Sequence, residues 1–101
     1  MGEPTDFKTL LAHSRQAAGL SQNKAAAKAR VSRKSWGWWE RDITVPYKAT
    51  EAAIENALGL EPGTLGEPAE RARDEHRLRR LARMSGDGAA VLSLLIATVA
   101  L

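Results

Sequence analysis

The sequence predicts an all-α protein, and three observations carry the prediction. Eighteen of the 101 residues are alanine, the best helix former. Apolar residues recur at helical offsets through most of the chain, and the strict alternation that marks a half-buried strand is almost absent. Ser, Asp, Pro and Gly stand where short helices would open and close. The length suits one small domain with an appendage, and 44% hydrophobic residues are enough for it to fold.

The first helix opens at Thr5 or Asp6, either of which can cap an N-terminus. Phe7, Leu10, Leu11, Ser14, Ala17 and Ala18 then mark one face, and Gly19 ends it because glycine adopts the left-handed conformation a helix end favours. Ser21 caps a second helix whose alanines run to Ala29. Ser32 caps a third, Arg33 to Arg41, with Trp36 and Trp39 on one inward face. Two short serine-capped helices separated by about three residues make a helix-turn-helix.

Asp42 to Pro46 reads as a loop, since a residue before proline is pushed out of the helical region. Tyr47 to Leu58 is a fourth helix, with Ala49, Ala53, Ile54, Ala57 and Leu58 inward and Gly59 as its stop. Glu61 to Leu65 reads as a single helical turn, and Pro68 suits the first position of a charged helix running to about Ser85. Asp87 can cap a last helix over 89–100, although an apolar run of that length also fits a buried strand.

The charge is uneven. Between His13 and Arg41 seven cations (Arg15, Lys24, Lys28, Arg30, Arg33, Lys34, Arg41) stand against one acid, Glu40, a local charge of +6 within a total of +3. Such a block inside a foldable region is either a polyanion-binding face or a solvated surface. No cysteine is present, which excludes disulfides, thiol catalysis and cysteine-ligated metals. His13 and His76 fit no metal spacing, and the chain offers no Ser/His/Asp grouping and no glycine-rich phosphate loop. No enzyme activity, cofactor or small-molecule ligand is therefore expected. Residues 1–20 lack the apolar core of a secretory signal, and 89–101 is shorter than the roughly 17–25 residues of a membrane span. The expectation is a cytoplasmic protein with no membrane association.

The ordered set Leu20-Ser21-Gln22, Ala26, Val31-Ser32, Trp36, Trp39-Glu40-Arg41, Pro46, Ala57-Leu58-Gly59-Leu60 and Leu65 resembles the lambda-repressor/Cro type of helix-turn-helix, the Xre-like family. The resemblance runs from about Leu10 to Leu65 and implies a five-helix DNA-binding domain over 5–66, followed by a helical C-terminal extension over 67–101. It implies that the third helix enters the major groove, with base contacts from Arg33, Lys34, Gly37 and Trp38. Trp38 can meet DNA or pack on the Lys34 stem, and Gly37 brings no side chain, which concentrates recognition on Arg33 and Lys34. Phosphate contacts fall on Ser21, Gln22 and Ser32 at helix N-termini, with Lys24, Lys28 and Arg41 as further partners; plain capping is a compatible role for the serines. Arg15 and Glu40 are expected to form a structural ion pair beneath the third helix.

Two positions depart from the family pattern. Arg30 stands where the turn usually has glycine, so the turn is either left-handed without glycine or differently shaped. Ala25 stands where leucine is common, and the indoles of Trp36 and Trp39 are available to fill the space.

The resemblance implies a sequence-specific transcriptional repressor, most like a temperate-phage immunity or Cro-type repressor, bound to double-stranded operator DNA. The alternative is an antitoxin whose tail binds a toxin; a pure interaction module has less reason to keep the basic block. A homodimer is expected, joined by the apolar run 89–101 through Val91, Leu92, Leu95, Ile96 and Val99. The same run could instead pack on its own chain or serve as a degradation signal.

Overall fold

The computed structural model describes residues 6–84. Five helices fill that span: α1 (Phe7–Ala17), α2 (Gln22–Ala29), α3 (Arg33–Glu40), α4 (Lys48–Leu58) and α5 (Gly66–Met84). No strand occurs among the described residues. The apolar run assigned to dimerisation, with Val91, Leu92, Leu95, Ile96 and Val99, lies outside them.

Local chemistry accounts for the helix ends. Ser21 Oγ accepts the Lys24 N–H at 3.1 Å and Ser32 Oγ accepts the Ser35 N–H at 3.0 Å, so each serine satisfies one of the orphan donors of its helix. Gly59 closes α4 at φ +70°, and the Leu60 N–H turns back to the Glu55 carbonyl at 2.8 Å. Arg30 closes α2 in the same left-handed region, at φ 60° and ψ 42°, with the Val31 N–H bonded to the Ala26 carbonyl at 3.0 Å. The turn therefore keeps the left-handed geometry without glycine, at a steric cost to the Arg30 Cβ. Arg30→Gly is expected to stabilise the domain by about 0.5–1 kcal/mol, after the extra freedom of glycine in the unfolded chain is deducted. A thermal melt checks this; an unchanged or lowered Tm would show that the arginine side chain makes good its backbone strain.

The core is built on small residues meeting large ones. Ala25, Ala26 and Ala29 of α2 are buried, and their lack of bulk lets α2 lie close to α3 and α4. Trp36, fully buried, and Trp39 fill the space, their ring centroids 5.7 Å apart and tilted by 52°. Phe7, Leu11, Ile54, Ala57, Leu58, Leu65 and Ala69 complete the cluster, with α1 packed on α3 and α5.

Three expectations are corrected. Residues 62–65 form a turn, not a helical turn, and it leads directly into α5 at Gly66, so Pro68 sits inside the first turn. Ala17 and Ala18 are exposed, so the buried face of α1 is shorter than its pattern. Ala49 and Ala53 are exposed as well, and the inward stripe of α4 is Glu51, Ile54, Glu55, Ala57 and Leu58. The two acids can be buried because each has a partner. Glu51 pairs with Arg73 at 2.8 Å, and Glu55 Oε2 accepts the buried Leu65 N–H at 2.9 Å. Arg73 also donates to the Pro46 carbonyl at 2.9 Å, tying α5 to the start of α4.

Candidate nucleic-acid interface

The orientation of α3 depends on one carboxylate. Glu40 closes the helix with its side chain only 7% exposed, and four hydrogen bonds reach its two oxygens. Arg15 Nε donates to Oε2 at 2.6 Å and an Arg15 terminal nitrogen to Oε1 at 3.1 Å, a bidentate fork. Gln22 Nε2 donates to Oε1 at 3.0 Å, and the Trp36 indole N–H to Oε2 at 2.6 Å. Arg15 further donates to the Leu20 carbonyl at 2.8 Å, just before the Ser21 cap. One acid thus joins α1, α2 and α3. Burial raises the Glu40 pKa, but the bonds from Arg15, Gln22 and Trp36, together with the Arg15 charge, outweigh it and hold the carboxyl below its usual range. The hydrogen bond to Glu40 pushes Arg15 the other way, above its ordinary value, against the effect of burial.

With Glu40 matched to Arg15, the remaining cations of the basic block stand alone. Lys24, Lys28, Arg30, Arg33, Lys34 and Arg41 are all exposed, and none has an ion-pair partner among the described residues. The local charge of +6 is therefore displayed on α2, α3 and the residues that flank them.

The residues expected to touch DNA separate into groups. Arg33 and Lys34 are exposed at the N-terminus of α3, next to exposed Ser32. Trp38 is half-buried one turn further on, and the Lys34 ammonium lies 5.0 Å from its ring centroid, a cation–π contact that covers the indole. Gly37, by contrast, is buried, and a Cβ built there would lie 3.8 Å from Gln22 Oε1 and 4.0 Å from a terminal nitrogen of Arg41. Gly37 is covered by Gln22 and Arg41, one turn along α3 from Arg33. Gln22 is half-buried and its amide is engaged with Glu40, so this side chain orients α2 against α3. Ser21 and Ser32 cap their helices, and Ser32 Oγ also bonds Ser35 Oγ at 2.9 Å. Arg41 folds back to the Gly37 carbonyl at 3.3 Å while staying exposed.

Sequence reasoning missed the Gln22 and Trp36 donors to Glu40. The Trp36–Glu40 spacing of four was a usable signal, because residues four apart face each other on a helix. Gln22 offered none.

Two serine-capped helices around a left-handed turn, with an exposed cationic helix end, define the helix-turn-helix class. The chain belongs to that DNA-binding family: the family model described as a helix-turn-helix domain matches residues 7–73. No curated protein and no solved structure matches the chain. No helix among the described residues is long and apolar enough to cross a membrane.

Proposed function

We propose that the protein is a sequence-specific transcriptional repressor of the phage immunity or Cro type, with the N-terminal end of α3 in the major groove. The observation that carries the reading is the set of six exposed, unpaired cations on and around a helix-turn-helix whose one acid is already neutralised. Arg33 and Lys34 stand where a recognition helix reaches base edges, and arginine or lysine suits the O6 and N7 acceptors of guanine. Lys24, Lys28 and Arg41 supply phosphate contacts that set the register. Two copies reading a palindrome, with half-sites about 34 Å apart, multiply the few contacts one α3 can make. The segment assigned to joining them, 89–101, lies beyond the described residues.

Selection of binding sites from a randomised duplex pool tests this. The expected result is enrichment of a two-fold-symmetric site. With about six phosphate contacts, affinity for it falls roughly a thousandfold between about 50 and 200 mM salt. No enrichment, or a flat salt profile, would overturn the reading.

A further inference from the structure

The basic surface does not stop at α3. Helix α5 runs back along α4: Leu65, just before its start, meets Glu55, Arg73 meets Glu51 and the Pro46 carbonyl, and His76 and Arg79 meet Asp42 at 2.8 and 3.3 Å. Its last two turns, 77–84, thus pass the beginning of α4 and reach the connection that leaves α3. Those turns carry Arg77, Arg79, Arg80 and Arg83 and no acid.

Between them and the connection lies a groove of about 530 Å³. Ile43, Val45 and Tyr47 form one wall, and Arg77, Arg80 and Arg83 the other. Tyr47 is 83% exposed and Ile43 51%. The acids nearby are already taken: Asp42 by His76 and Arg79, Glu51 by Arg73, and Asp74 by Arg77. Arg80 and Arg83 are exposed and have no ion-pair partner among the described residues.

We propose that this groove binds the sugar-phosphate backbone of duplex DNA just outside the segment that α3 reads, so that α5 widens the footprint; the proposal rests on the DNA-binding reading above. Two arguments favour a nucleic-acid backbone over an acidic protein. The groove adjoins the C-terminal end of α3: its first lining residue, Ile43, comes two residues after exposed Arg41, and the Ile43 N–H bonds the Trp38 carbonyl at 2.9 Å, fixing the connection to the end of α3. Its charge is also one-sided: the α5 wall carries the arginines, and the opposite wall, where Thr44 stands among Ile43, Val45 and Tyr47, carries none, which suits phosphates on one wall and sugar rings on the other.

The test uses the full chain and fluorescein-labelled duplexes carrying the site enriched from the randomised pool. One duplex ends at the edges of that site, and the other extends one helical turn beyond each edge. Anisotropy titrations over a range of salt compare wild type with Arg80→Ala/Arg83→Ala, whose exposed positions leave the core intact, with matched melts as the check on folding. Wild type should bind the extended duplex more tightly and with the steeper salt dependence. The double variant should lose about 1.8 from the log–log salt slope on the extended duplex, two contacts at about 0.9 each, and match wild type on the short one. An unchanged slope on the extended duplex, or an equal loss on both, overturns the proposal and leaves the α3 reading standing. Wild-type protein that enriches no site overturns both.

Discussion

Glu40→Ala is expected to cost roughly 3–5 kcal/mol of stability, the usual result of removing one partner from a buried ion pair. The reason is what the deletion leaves behind. The Arg15 guanidinium, its side chain 14% exposed, loses a bidentate partner, and the Gln22 amide and the Trp36 indole N–H lose their acceptor in the same step. Small domains are stable by only about 5–15 kcal/mol, so the loss removes a large share of the total. A thermal melt should show Tm lowered by more than about 10 °C. A Tm within a few degrees of wild type would mean that water replaces the carboxylate and that the three helices are held by apolar packing alone.

The same carboxylate makes stability depend on pH, with a definite sign. Because Glu40 titrates below its ordinary value near 4.5, its contribution is complete above that value. It is lost as pH falls through the lowered folded-state value, since the unfolded chain then binds the proton more readily. Asp42 acts in the same sense: burial raises its pKa, but bonds from His76 and Arg79 bring it below its usual range. The stability gap between wild type and Glu40→Gln should therefore narrow as acid is added.

Much of the fold was legible because its signals are local. Ser21, Ser32, Gly19 and Gly59 act on backbone groups within a few residues, and Trp36 and Trp39 declare an inward face by their spacing. What stayed hidden depends on partners distant in sequence. The stripe of α4 rotates onto Glu51 and Glu55 only because Arg73 and the Leu65 backbone come to meet them, 22 and 10 residues away. The candidate site shows the same division. The exposure of Arg33 and Lys34 follows from position on a capped helix, whereas Gly37 is buried because Gln22 and Arg41 fold across it. The groove between α5 and 43–47 was not legible, because nothing local says where a helix charged nearly all round will lie.

Arg33→Ala and Lys34→Ala are each expected to weaken binding to the selected site by about 1–3 kcal/mol, with far smaller effects on a scrambled duplex. Both side chains are exposed and make no ion pair among the described residues, so their loss should leave the fold and its Tm nearly unchanged. Lys34→Ala carries a second consequence, since it uncovers the Trp38 ring, and its tryptophan fluorescence should change where that of Arg33→Ala does not. Equal losses on the selected and scrambled duplexes would reassign both residues to phosphate contact.

If α3 reads sequence, the protein's dissociation constants on matched and unmatched DNA must differ widely. Wild-type protein is titrated onto the selected duplex and onto a scrambled duplex of the same length and composition at one physiological salt concentration. Sequence-specific binding predicts a ratio of at least about a thousand. A ratio near one, with tight binding to both, would mean that α3 reads no sequence and that the basic block is a sequence-blind polyanion surface.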